Sequence, residues 1–144
     1  MSPRSLCILL VEDDEIDAEF FLRCLRLQGS ALEVTVARDA LAALRMLRGG
    51  PDQLPWEGPY IILLDLHLPG MSGFEFLQEL RSDPRLKASP VFVLSGSASE
   101  HDRQQAYKYG VAGIMQKTVF TDYCAPLIHF LETYRDLVEL PILR

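Results

Sequence analysis

The chain has 144 residues, 49% of them apolar, and a formal net charge of −6. That is enough for one domain with its own core, and it excludes a disordered chain. The acidic balance and the lack of any basic block exclude nucleic acid as an expected direct partner, and no apolar run is long enough to span a bilayer.

Met1 to Ser5 is too short for a leader, and Glu12, Asp13 and Asp14 interrupt the apolar run behind it. A soluble cytoplasmic domain is expected. Cys7, Cys24 and Cys124 are scattered, with no CxxC or zinc spacing. Each is expected to pack as a small apolar group rather than form a disulfide.

Leu6 to Val11 reads as a central strand. The acidic run Glu12 to Glu15 follows, then Ile16, Phe20, Cys24 and Leu27 at helical spacing, closed by Gly29. Leu32 to Val36 is a strand. Asp39 caps a helix that carries Ala40, Ala43, Leu44 and Leu47 on one face. Gly49-Gly50-Pro51 ends it, and Asp52 to Pro59 is a surface loop. Tyr60 to Leu64 is a strand that delivers Asp65 to a loop rich in proline and glycine. Ser72 and Glu75 have the spacing of a capping box, with Phe74, Leu77 and Leu80 as an apolar face; Ser82-Asp83-Pro84 stops that helix. Pro90 to Leu94 is a strand ending in Ser95-Gly96-Ser97. Ser99 with Asp102 starts a helix that runs to Gly110. Ala112 to Met115 is a fifth strand, ending at Gln116-Lys117. The last helix runs from about Tyr123 to Val138.

The order βαβαβαβαβα, with near-continuous apolar strands, implies an α/β fold: a doubly wound five-stranded parallel sheet covered on both faces. No linker leads to a second domain, so residues 1–144 read as one domain with a short tail, 139–144.

Four strand ends carry polar residues: Glu12-Asp13, Asp65, Ser95 and Lys117. Each has a structural reading when taken alone: a helix start, a turn aspartate, an N-cap, a solvated charge. A doubly wound sheet puts all four on one edge, where ligands bind, and together they point to a shared site. Glu12, Asp13 and Asp65 would repel one another unless a hard cation sat between them, and oxygen ligands with room for water suit Mg²⁺. A carboxylate beside such an ion can attack phosphorus. Lys117 can pair with a phosphoryl oxygen and Ser95 can donate to another.

These residues resemble those of the receiver (CheY-like) domain of bacterial two-component response regulators. The likeness rests on Leu10-Val11-Glu12-Asp13-Asp14, on Leu64-Asp65-Leu66-His67-Leu68-Pro69-Gly70-Met71-Ser72-Gly73, on Leu94-Ser95-Gly96 and on Gln116-Lys117. The resemblance implies a flavodoxin-like fold with strand order 2-1-3-4-5. It implies phosphorylation of Asp65 by a histidine kinase. It implies Mg²⁺ held by Asp13, Asp65 and the main-chain carbonyl of His67, with Glu12 acting through water, and Ser95 and Lys117 on the phosphate. His67 and Ser97, each two residues past a site residue, are positions that tune phosphate loss in such domains. A narrower resemblance to phytochrome-associated response regulators rests on the acidic trio, the His67 position, the solitary domain and the Val138-Glu139-Leu140-Pro141 ending. It implies a phytochrome kinase as donor and a homodimer. Surplus apolar residues on the last helix (Ile128, Phe130, Leu137) and the Leu140-Pro141-Ile142-Leu143 tail place that dimer in the C-terminal half.

Two positions depart from the pattern. Thr118 follows Lys117 where the family usually has proline. A trans bond is expected there, because cis before a non-proline costs about 3 kcal/mol. Ile114 stands where an aromatic rotamer switch is common, so the signal must travel by backbone or helix shifts. Two rival readings remain. A phosphatase of the haloacid dehalogenase type would need a second aspartate at position 67, where histidine stands. A receiver-like interaction module with weak or lost phosphorylation is opposed by the intact site set. The chain is expected to be a switch with no independent substrate, and so not an enzyme.

Overall fold

The computed structural model describes residues 6–118 and 124–142. The expectations placed on Met1 to Ser5, Tyr123 and Leu143 lie outside them. Five strands, β1 (Cys7–Val11), β2 (Glu33–Ala37), β3 (Tyr60–Asp65), β4 (Val91–Ser95) and β5 (Gly113–Gln116), alternate with five helices among the described residues: α1 (Glu15–Leu27), α2 (Ala40–Arg48), α3 (Gly73–Ser82), α4 (Glu100–Lys108) and α5 (Ala125–Leu137). All strand pairs are parallel, in the order 2-1-3-4-5.

Successive side chains of a strand point to opposite faces, and the core divides accordingly. Leu9, Val11, Ile62, Leu64, Val91 and Val93 pack with α2, α3 and α4. Ile8, Leu10, Ile61, Leu63, Phe92 and Leu94 pack with α1 and α5.

The expected caps are in place. Asp39 accepts from the Ala42 N–H, and Ser72–Glu75 and Ser99–Asp102 both form reciprocal capping boxes. Asp14 caps α1 through the N–H groups of Ile16 and Asp17.

The expected buried face of α1 is corrected. Ile16 and Leu27 are 80% and 76% exposed and Phe20 is largely open, whereas Ala18, Phe21 and Leu25 are buried. Two apolar stripes compete on this helix. The one containing Ala18, Phe21 and Leu25 faces the sheet and joins the core there. The expectation of three unpaired cysteines is also corrected: Cys24 of α1 and Cys124, just before α5, form a disulfide with Cα atoms 6.5 Å apart, while Cys7 is free. The α1–α5 packing brings these residues, 100 apart in sequence, within bridging range.

Two arginines fix the loops at the far end of the sheet. Arg85 donates to the carbonyls of Leu47 and Trp56, which holds the 49–59 loop. Arg81, at the end of α3, donates to the carbonyls of Tyr109 (2.5 Å), Lys87 (2.8 Å), Ser89 (2.8 Å) and Gly110 (3.1 Å).

Gly73 opens α3 against the chain segment that leaves β3. A Cβ there would lie 2.6 Å from Leu66 Cα and 2.9 Å from the Asp65 carbonyl oxygen, both backbone atoms that cannot turn aside. Gly73→Ala should lower the unfolding free energy by about 2 kcal/mol and push the Asp65 loop outward. A urea midpoint equal to that of the wild type would contradict this close packing.

Candidate functional site

The β1–β3 register pairs Val11 with Leu64, so one step further Glu12 stands beside Asp65. The β4–β5 register pairs Ser95 with Gln116, and Lys117 follows, its N–H donating to the Ser95 carbonyl at 3.0 Å. The alternation that sorts the core continues past the strand ends. Glu12 has the parity of Ile8 and Leu10, Asp65 that of Ile61 and Leu63, and Lys117 that of Met115, all on the α1 and α5 side. Ser95 has the parity of Val91 and Val93 and sits toward α3 and α4.

That parity is what brings the charges together. Lys117 Nζ lies 2.7 Å from Glu12 Oε1, 3.0 Å from Asp17 Oδ2 and 3.1 Å from Asp65 Oδ2. Glu12, Asp13 and Asp65 each offer a carboxylate oxygen within 4.8 Å of the others. Glu12 and Asp65 are buried, whereas Asp13 is exposed at the rim. Asp65 Oδ1 accepts from the His67 N–H at 2.9 Å, which fixes the carboxylate plane. His67 itself is exposed. Ser95 is buried and its hydroxyl oxygen accepts from the Ser97 N–H at 3.3 Å. Nothing in the sequence singles out Asp17. It lies in the first turn of α1, where an acidic residue reads as a partner for the helix dipole, and its contact with residue 117 depends on how α1 crosses the sheet.

The donor set fits a hard divalent ion. It is all oxygen, and Glu12 Oε2 is the one buried side-chain oxygen or nitrogen among the described residues without a hydrogen-bond partner. A buried carboxylate oxygen in that position needs either a proton or a cation. Burial pushes the Glu12 carboxyl up, the Lys117 ammonium pulls it down and the Asp65 charge pushes it up again, leaving it near about 7. Burial works against the Lys117 charge, but its bonds to Glu12, Asp17 and Asp65 outweigh that and hold its pKa well above the usual lysine range.

The raised Glu12 value fixes the sign of a pH effect. Between its unfolded value of 4.5 and about 7, the folded chain holds a proton that the unfolded chain has lost. Metal-free protein should therefore lose stability as pH rises through that window, by about 1–3 kcal/mol. Glu12→Gln should flatten the slope and be the more stable form at pH 8. Urea unfolding in chelator at several pH values tests this, and parallel curves for the two proteins would refute it.

Among the described residues, the Lys117–Thr118 bond is trans, as expected, since the cis bond is Gly58–Pro59. Ile114 is part-buried against the α2, α3 and α4 side of the core.

The chain matches the family model described as response regulator receiver domain over residues 8–124. It is 36% identical over 135 residues to the response regulator Rcp1 of Synechocystis sp. strain PCC 6803, covering 93% of this chain and 92% of that protein. Among solved structures it resembles the phosphorylated cyanobacterial phytochrome response regulator RcpA (32% identity, TM-score 0.81, covering 97% of this chain and 99% of that one). It also resembles the Mn²⁺-bound form of Rcp1 (31% identity, TM-score 0.74, covering 96% and 99%).

Proposed function

The chain belongs to the response regulator receiver domain family, and from that premise we propose that it is a single-domain switch whose Asp65 accepts a phosphoryl group from a histidine kinase. The observation that carries the reading is the contact between Lys117 and Asp65 beside the unpartnered Glu12 oxygen. The Asp65 carboxylate attacks phosphorus, an O–P bond forms, and the P–N bond to the donor imidazole breaks with its electron pair kept by the nitrogen. The His67 N–H on Oδ1 holds the carboxylate in the attacking orientation. Lys117 meets the negative charge that arrives with the phosphoryl oxygens. Ser95, on the neighbouring strand, reaches the product from the α4 side. His67 and Ser97 border the acceptor and set water access, and with it the phosphate lifetime.

Receiver domains bind a divalent metal, and Mg²⁺ is the ion proposed for Glu12, Asp13, Asp65 and the His67 carbonyl. When bound it supplies neutralisation of phosphoryl charge that three carboxylates would otherwise repel. The likeness to RcpA, described as a phytochrome response regulator, and to the bacteriophytochrome response regulator AtBRR makes a phytochrome-type kinase the proposed donor. Ile128, expected on the dimer surface, is instead buried in the core, whereas Phe130, Leu137 and Ile142 keep apolar surface exposed on α5 and the tail, which a second copy would cover in a homodimer. A monomer mass in sedimentation at high concentration would remove that part. As a switch the chain acts on no independent substrate.

Incubation with Mg²⁺ and acetyl phosphate tests the proposal. One phosphoryl group per chain is expected in the intact mass, and none when the metal is chelated. A mass unchanged with metal present would overturn it.

A further inference from the structure

We propose that Asp17 is a positioning residue that competes with the incoming phosphoryl group for Lys117. The inference rests on Asp65 being the phosphoryl acceptor. Lys117 has three N–H donors, and Glu12, Asp17 and Asp65 each have an oxygen within hydrogen-bond distance of Nζ. Two of these partners are drawn into the reaction: Asp65 becomes the acyl phosphate and Glu12 belongs to the metal-binding set. Asp17 does neither. It comes from α1 rather than from a strand end, and its oxygens lie outside the cluster that Glu12, Asp13 and Asp65 form.

Asp17 therefore keeps its hold on the ammonium when the other two carboxylates are engaged. A phosphoryl anion must draw Nζ away from a full negative charge that is only partly screened, its side chain being 23% exposed. An asparagine at the same place could still accept a hydrogen bond but would lack the charge, so the balance would move toward the phosphoryl-bound arrangement. Asp17 thus sets how readily the switch stays on, without touching phosphorus or metal.

Glu19, two residues on, is the control. It carries the same charge on the same helix but pairs with Arg26 at 3.1 Å, on the exposed surface. Beryllofluoride, a phosphoryl mimic, is titrated in saturating Mg²⁺ against wild type, Asp17→Asn, Asp17→Glu and Glu19→Gln. Asp17→Asn should bind about 3–5-fold more tightly, the upper part of the range one partly exposed ion pair can supply, while Asp17→Glu and Glu19→Gln stay within about twofold of wild type. Unchanged or weaker binding by Asp17→Asn overturns the inference. So does an equal gain in Glu19→Gln, which would mean a general effect of net charge. A wild type that takes up beryllofluoride while Asp17→Asn behaves identically leaves the phosphoryl-acceptor reading standing and removes only the role of Asp17. A wild type that takes up none removes both.

Discussion

Asp65→Asn should take up no phosphoryl group from acetyl phosphate or from a kinase, a loss of at least about a thousandfold in rate. The amide keeps the shape of the side chain and can still accept the His67 N–H, so the loop and the buried β3 end remain packed. What disappears is the nucleophile, along with one of the three carboxylate charges in the metal set. No neighbour can take over. Glu12 is buried behind Lys117, and Asp13 sits exposed at the rim, where nothing described orients it toward a donor. The check is intact mass after incubation with Mg²⁺ and acetyl phosphate. A labile phosphoryl adduct on the variant at the wild-type rate would move the acceptor to another residue and end the assignment of Asp65.

Lys117→Met should have two effects of opposite sign. Phosphoryl uptake should slow by about a hundredfold or more, the range for removing a donor aimed at developing negative charge. Mg²⁺ binding should become tighter, by about tenfold, because the ammonium lies among the very carboxylates the ion must use and repels it. Calorimetric titration reads the second effect and phosphorylation kinetics the first. A wild-type uptake rate would show that the lysine is only a structural counter-ion, and unchanged metal affinity would show that it leaves the cluster before the ion arrives.

Much of this site was legible in the sequence because strands are short, apolar and periodic. An apolar run that stops at a polar residue fixes where that residue lies, and four such stops on parallel strands (Glu12, Asp65, Ser95 and Lys117) fix an edge. The alternation of Leu63 and Asp65, or of Leu10 and Glu12, even settles which side of the sheet each faces. Helices gave less away. On α1, Phe20 and Phe21 are equally apolar neighbours, and only the tertiary packing of the helix on the sheet and α5 decides that Phe21 turns inward with Ala18 while Ile16, Phe20 and Leu27 stay outside. The contact of Asp17 with Lys117 and the pairing of Cys24 with Cys124 are hidden for the same reason. Each joins a helix to a residue about a hundred positions away, and each depends on a crossing geometry that no local spacing encodes.

Arg81 bears on how such a molecule can move. Its guanidinium grips main-chain oxygens on both sides of the β4–α4 unit, from Lys87 and Ser89 ahead of the strand to Tyr109 and Gly110 behind the helix. A lysine could not span that fork. α4 is thus riveted at its lower end, while among its residues only Ala106 is buried. A disturbance reaching Ser95 enters at the opposite, loosely seated end, where Ser97 and Ser99 lead into the helix. Displacement there becomes a swing about a fixed pivot, with the widest arc next to the acceptor and almost none at Gly110.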